Sequence, residues 1–247
     1  MKTKVSKVIL MFVLVMGFGL CLLNGEDHGD HWWKFHETSG TSAHDSIGNV
    51  NGTLHGGAKF LQVEDDGCVN IPASEDSYVS FGTNVGQFGK KDFTVSLEFK
   101  TNNSTDAYDL VGNRTTTFGN FFQIHISTGF KNVSSVPGGI VVATLEDENK
   151  KNLIWLRYEN HNYADGQWHT VMVIRTGKTM ALYIDNMKEP VMTGTAPDIA
   201  NIHNDNEFKL GHSTVAPWIS PADIVCRNLK ICGEHSNSTE NPTENQK

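Results

Sequence analysis

Positive charge is scarce in this chain: 20 Lys and Arg stand against 28 Asp and Glu, a formal net charge of −8 over 247 residues. A nucleic-acid binder needs a cationic face, so that class is disfavoured. Electrostatic capture of sulfated polymers is disfavoured for the same reason, unless a bound cation reverses the local field. Apolar runs of membrane-spanning length are lacking beyond the first 25 residues. No later segment keeps a 3.6-residue apolar period, which argues against a helical bundle. The chain has no phosphate-binding glycine loop, no Gly-X-Ser-X-Gly elbow, and no histidine pair at the helical spacing of catalytic zinc sites. A strand-borne pair of glycosidase carboxylates is missing too: Glu64-Asp65-Asp66 comes nearest to Glu-X-Asp-X-X-Glu, but Val69 stands where the last Glu belongs. The chain reads as a non-enzyme.

Lys2, Lys4 and Lys7 precede an uncharged run from Val8 to Leu23. This is the layout of a secretory signal peptide, expected to occupy residues 1–25 with cleavage after Gly25. The alternative is an uncleaved signal-anchor, for which the run is short. Loss of the three lysines leaves 17 basic against 28 acidic residues, a net of −11. The expected product is secreted and extracellular, with no membrane span in the mature chain. Cysteine is also scarce, with four in all. Cys21 leaves with the signal, so Cys68, Cys226 and Cys232 remain, an odd number in an oxidising compartment. Cys226 and Cys232 are roughly 20 Å apart along one strand and cannot pair, although they share a strand parity. Cys68 is therefore expected to pair with one of them, Cys226 in preference, leaving one thiol for an intermolecular bridge.

Apolar residues make up 38% of the chain and charged residues 19%, enough to build a core. Residues 92–100 alternate cleanly, with Phe93, Val95, Leu97 and Phe99 on one face and Thr94, Ser96, Glu98 and Lys100 on the other. That is a strand with one wet face. Residues 121–127, 139–145, 153–158, 168–175 and 179–185 repeat the theme between Gly-, Asn- and Asp-rich turns. The rhythm implies an all-β sandwich or jelly roll in one domain, residues 26–233, followed by a polar, disordered tail over 234–247. Trp168 is large enough to span the core between two sheets, and His169 then points the opposite way. His169 is a candidate ligand contact, with a surface or inter-strand histidine as the plainer alternative. Trp32, Trp33, Trp155 and Trp218 could stack on sugars, but core packing is the commoner fate of such residues. Trp218, between Pro217 and Pro221, is the least core-like and is the candidate ligand-binding tryptophan.

Several stretches resemble one family in order along the chain. They are Trp33-Lys34-Phe35-His36-Glu37-Thr38-Ser39-Gly40 with Asp45-Ser46-Ile47-Gly48-Asn49 and Asn51-Gly52-Thr53-Leu54, then Asp92-Phe93-Thr94-Val95-Ser96-Leu97-Glu98-Phe99-Lys100-Thr101. Ala164-Asp165-Gly166-Gln167-Trp168-His169-Thr170-Val171 and Leu182-Tyr183-Ile184-Asp185-Asn186 follow, then, near the end, Phe208-Lys209-Leu210-Gly211-His212, and Cys226-Arg227-Asn228-Leu229-Lys230-Ile231 closes the set. Together they resemble the laminin G-like, concanavalin A-like jelly rolls, a superfamily that includes pentraxins and legume lectins. The resemblance implies a two-sheet antiparallel sandwich whose rim loops bind ligands, often through calcium. Relatives that bind calcium supply an Asp before the strand matching residues 121–127 and another before the strand near Phe208 to Leu210. Here those places fall on Asn120 and on Asp205 or Asn206. One neutral amide for one carboxylate weakens such a site toward the millimolar range, and a plain polar loop is the equal alternative.

Sequons stand at Asn51, Asn102, Asn103, Asn113, Asn132 and Asn237, consistent with a glycoprotein if the host is a eukaryote. The function expected is recognition of a glycan or an extracellular glycoprotein through rim loops, with calcium as the implied cofactor. A structural component of an extracellular or mineralised matrix is the alternative.

Overall fold

The computed structural model describes residues 30–63, 66–115, 117–128, 138–147, 150–212 and 219–233. The expected signal segment, the tail, Trp218, Asn132 and Asn237 lie outside them. The regular structure of the described residues is almost entirely strand. In chain order these are β1 (His31–Trp33), β2 (Ser42–Ala43), β3 (Gly52–His55), β4 (Lys59–Val63), β5 (Asp66–Ile71), β6 (Tyr78–Ser80), β7 (Phe93–Lys100) and β8 (Tyr108–Gly112). Then come β9 (Phe121–Ser127), β10 (Ile140–Glu146), β11 (Ile154–Tyr158), β12 (His169–Thr176), β13 (Thr179–Ile184), β14 (Met192–Thr195), β15 (Lys209–Leu210) and β16 (Ile224–Gly233).

Two antiparallel sheets stack on each other. The first runs β14-β13-β12-β7-β16-β5-β4, with β1 also paired to β16. The second runs β11-β10-β9-β8-β15-β6-β3-β2. Strands far apart in sequence, such as β7 and β16, lie side by side, which is the crossover pattern of a jelly roll. The expected all-β, two-sheet sandwich is therefore the fold.

The alternation in β7 carries directly into packing. Phe93, Val95, Leu97 and Phe99 face inward with Val171 and Val173 of β12 and Leu182 and Ile184 of β13. Phe122, Ile124, Ile126, Val141, Ala143 and Leu145 of the second sheet close the core from the other side. Each such side chain contributes on the order of 1.5–3 kcal/mol by leaving water. Arg175 also points inward at the end of β12. It stacks over Phe93 at 4.9 Å and donates to the carbonyls of Gly89, Lys91 and Ala200. It ties two loops to the end of the core, and burial drives its guanidinium down to about 10.

Two expectations are corrected here. Cys68 and Cys226 are both buried free thiols, not a disulfide. Cys226 lies directly opposite Val69 across β16 and β5, so it shares the inner face with Val69, while Cys68, one residue earlier, points to the other face and toward the Leu61 carbonyl. The shared parity of Cys226 and Cys232 also fails. β16 carries a bulge between Arg227 and Lys230, with Asn228 at φ 54°. One extra residue reverses the alternation, so Ile224 and Cys226 point inward before it and Leu229 and Ile231 after it. Burial raises both thiols above the ordinary cysteine range. Cys68 and Cys226 are thus withdrawn from any intermolecular bridge.

Candidate functional site

Three places collect functional side chains. The first is where the resemblance implies calcium. Asn120 immediately precedes β9 and residues 204–206 precede β15, and the fold does bring the two loops together. Amides stitch them. Asn120 Nδ2 donates to the His203 carbonyl at 3.0 Å, Asn204 Nδ2 to the Asn120 carbonyl at 2.6 Å, and Asn206 Nδ2 to the Asn113 carbonyl at 3.2 Å. Gln87 joins through Asn204 and Asn206. Carbonyl oxygens that calcium would recruit thus accept N–H groups, and Asp205, exposed, supplies the carboxylate among the three expected residues. The donor set fits calcium only weakly.

The second place is the rim before β12. The chain turns at Gly166 (φ 79°), where a Cβ would fall 2.4 Å from Asn102 Oδ1. The turn is pinned at both ends, with Tyr163 N donating to the Gly139 carbonyl at 2.8 Å and Gly166 N to the Thr101 carbonyl at 2.9 Å. It presents His161, Asp165 and His169 to one another. His169 Nε2 lies 3.1 Å from Asp165 Oδ1 and His161 Nε2 lies 3.8 Å from Asp165 Oδ2. On its far side His169 Nδ1 meets Asp185 Oδ2 at 3.0 Å, and Asp185 Oδ1 accepts the Thr170 amide at 2.9 Å. Burial opposes charge on Asp165. Hydrogen bonds from the Gln167 amide and from His169, with both histidine charges, nonetheless hold its carboxyl below the usual range. Tyr163 packs edge-on to both imidazoles, at 4.7 and 5.0 Å.

His169 is 7% exposed and pairs with Phe99, so it faces inward at the end of the core. Trp168 is the residue that points out, half-buried under the Arg227 guanidinium at 4.3 Å. The expected orientations are reversed, because the register against β7 sets the parity and the preceding turn does not.

At the third place the sequence offers Trp155 alone, as one of four tryptophans that could stack on sugars. Opposite register positions on the outer face of the second sheet align Trp155, Thr144 and Gln123 in one row and Arg157, Val142, His125 and Asp109 in the next. Gln123 donates to Asp109 and accepts from Arg114 Nη1 at 2.9 Å. Arg157 donates to Glu159 and, through Nη1, to Ser127 Oγ at 3.1 Å. His125 Nδ1 is buried without a hydrogen-bond partner. Burial, with the charges of Arg114 and Arg157, pushes its imidazole down to about 3, so it is neutral at ordinary pH. Trp155 is 50% exposed at the edge strand, with Arg157 5.9 Å from its ring. A tryptophan on a wet strand face could have been found by the parity of β11, since Ile154 and Leu156 claim the core face.

The other tryptophans divide as their neighbours dictate. Trp33 is fully buried, and Trp32 lies between the ammonium groups of Lys34 and Lys230 at 4.1 and 4.2 Å. Of the described sequons, Asn51 and Asn102 are exposed and Asn103 caps a turn through Thr105 and Asp106. Asn113 is 1% exposed; its Nδ2 donates to the Gly86 carbonyl and its Oδ1 accepts the Phe122 amide. A glycan at Asn113 has no room in this fold, which corrects that expectation.

The comparisons agree with this architecture. The laminin G domain model matches residues 114–222, which span β9 through β15. The binding domain of Paraclostridial Mosquitocidal Protein 1 superposes with a TM-score of 0.62 at 16% identity, over 86% of this chain and 50% of its own. The botulinum neurotoxin serotype D binding domain gives 0.59 at 15%, over 83% and 47%. Domain 4 of AbnA, an extracellular arabinanase from Geobacillus stearothermophilus solved with arabinotriose, gives 0.57 at 16%, over 85% and 94%. The chain spans about half the length of the two toxin domains. Related toxin work describes a binding domain in complex with rat synaptotagmin II, and cell entry of the type C toxin that depends on interaction with two ganglioside molecules. No curated protein matches this chain in sequence. Fold and family model agree on a two-sheet jelly-roll sandwich. Over residues 114–222 the chain is similar to laminin G domains, and over most of its length it shares the two-sheet fold of the binding domains named above.

Proposed function

We propose that the chain is a secreted, non-catalytic module that binds a glycan or a glycosylated extracellular protein at the β11 edge of its second sheet. The observation that carries this is Trp155, half exposed on the edge strand with the Arg157 guanidinium 5.9 Å from its ring. An indole offers its face to the apolar side of a sugar ring. The guanidinium beside it suits the hydroxyls of such a ring. The ganglioside, arabinotriose and synaptotagmin partners of the similar folds support ligands of this kind. Among the described residues no helix is long and apolar enough to cross a membrane. Calcium at Asn120, Asp205 and Asn206 belongs to the reading only as a weak, millimolar-class modulator. Cys68 and Cys226 are buried and so lend the matrix alternative no cross-linking thiol.

The test is a glycan array with the full chain and with Trp155→Ala, each in millimolar calcium and in chelator. We expect binding that persists in chelator and falls at least roughly tenfold in the variant, with thermal melting unchanged because the indole is half exposed. An array without hits, or a variant that binds like the parent, overturns the reading.

A further inference from the structure

The cluster His161, Asp165 and His169 is separate from the sheet face described above, and ligand recognition there makes no use of it. We propose that this rim turn holds a divalent transition-metal ion of the zinc class, bound by His161 Nε2, an Asp165 oxygen and His169 Nε2, with water in the fourth position.

The geometry argues for more than an ion pair. All three donor atoms lie within 4.8 Å of one another. The 3.1 Å separation of His169 Nε2 and Asp165 Oδ1 is near the ligand-to-ligand edge of about 3.3 Å expected for a tetrahedron with bonds of roughly 2.0–2.1 Å. His161 stands 3.8 Å from the other carboxylate oxygen, and its exposed ring can close that gap with a small rotation. The mixture of two imidazoles and one carboxylate suits zinc, cobalt(II) or nickel(II) rather than calcium, which prefers an all-oxygen shell.

Support behind the donors is already in place. Asp185 at Nδ1 fixes the hydrogen there and leaves Nε2 of His169 as the donor, the usual arrangement of a carboxylate behind a metal-bound histidine. Asp185 sits at φ 57°, a left-handed conformation unusual for a residue other than glycine. That conformation aims its two oxygens at the Thr170 amide and His169 at once. Asp165 is likewise anchored by the Gln167 amide at 2.8 Å. Tyr163, 5% exposed, walls the inner side, so the open coordination position faces solvent. The pair His36 and Asp66, 2.8 Å apart and half exposed, has the same two residue types but, among the described residues, gathers no third donor of this kind.

The experiment is titration of the chelator-treated full chain with Co²⁺, read by visible absorption, followed by displacement with Zn²⁺. We expect saturation at one ion per chain, intense bands of a tetrahedral cobalt centre, and their loss on adding zinc. His161→Ala and Asp165→Asn should each weaken binding at least roughly tenfold, and Asp185→Asn by about 10- to 100-fold. His36→Ala should bind as the parent does. His161 is exposed, so its removal leaves the fold intact, which thermal melting without metal verifies. An unsaturable or absent cobalt signal, or a His161→Ala variant with unchanged affinity, overturns the proposal.

Discussion

Asp45 organises the start of the sandwich through one buried carboxylate. Its oxygens meet His31 Nδ1 at 2.6 Å and accept the amides of Trp32, Ile47, Gly48 and Val50. Gly48 is needed in that wrap, because a Cβ there would fall 2.6 Å from Asp45 Oδ2. Burial alone would raise the Asp45 pKa; the His31 hydrogen bond and the amides outweigh it and bring the group from 3.8 to about 2. A carboxyl lowered by folding contributes stability that is complete above its unfolded value and is lost as pH falls toward the folded value. The window is therefore pH 4 to 2, and a shift of this size is worth about 2 kcal/mol. Urea unfolding at pH 6 and pH 2 should show Asp45→Asn with a pH dependence smaller than the parent's by about that amount. Equal pH dependence in the two proteins would remove this role from Asp45. The resemblance marks the stretch Asp45-Ser46-Ile47-Gly48-Asn49 but not the role of Asp45 in it, since its partners come from residues on both sides of a turn. His161 and Asp165 escape notice in the same way: their spacing carries meaning only once Gly166 has folded the chain back.

Strands were more legible than the faces they present. Residues 121–127 were read from the sequence with the bounds that β9 has, and β7, β10, β11, β12 and β13 fall within one residue at each end. Alternation is a local signal, and each of these strands has an inner face to bury. Parity at a strand's end is not local. His169 turns inward because β12 registers His169 against Phe99, and β16 reverses sides at Asn228. The disulfide expected between Cys68 and Cys226 failed on the same ground, since cross-strand register puts their side chains on opposite faces of one sheet. This gives a direct prediction. A maleimide applied to the native chain should label neither Cys68 nor Cys226, and both should become labelled in denaturant without reductant. Protection that persists in denaturant until reductant is added would mean that they are bonded, and would put the register of β5 against β16 in error.

For the whole molecule, the sequons test how the two sheets and their rims are arranged against solvent. A glycan must project into water, so a correct fold sorts exposed sequons from buried ones. Asn102 is exposed beside the rim turn, whereas the Asn103 amide is committed to Asp106. Asn51 is exposed, and its Oδ1 accepts the Asp45 amide, which leaves its Nδ2 for a sugar. Asn113 stands in the connection between β8 and β9, holding the Gly86 carbonyl and the Phe122 amide with the two ends of its side chain. Its own carbonyl accepts Asn206, so the residue also joins the amide-stitched loops before β15. Peptide mapping of the chain secreted from a eukaryotic host should find glycan on Asn51 and Asn102 and none on Asn113. The sequon around Asn113 can be removed without touching the asparagine, by Thr115→Val, and this should leave the glycan mass unchanged. Asn113→Ala instead leaves a buried amide and a buried carbonyl without their partner, at a cost of about 1–3 kcal/mol each way such a group is orphaned. A glycan found on Asn113 would place that residue in solvent, and with it would go the junction that holds β8, β9 and the loop before β15 together.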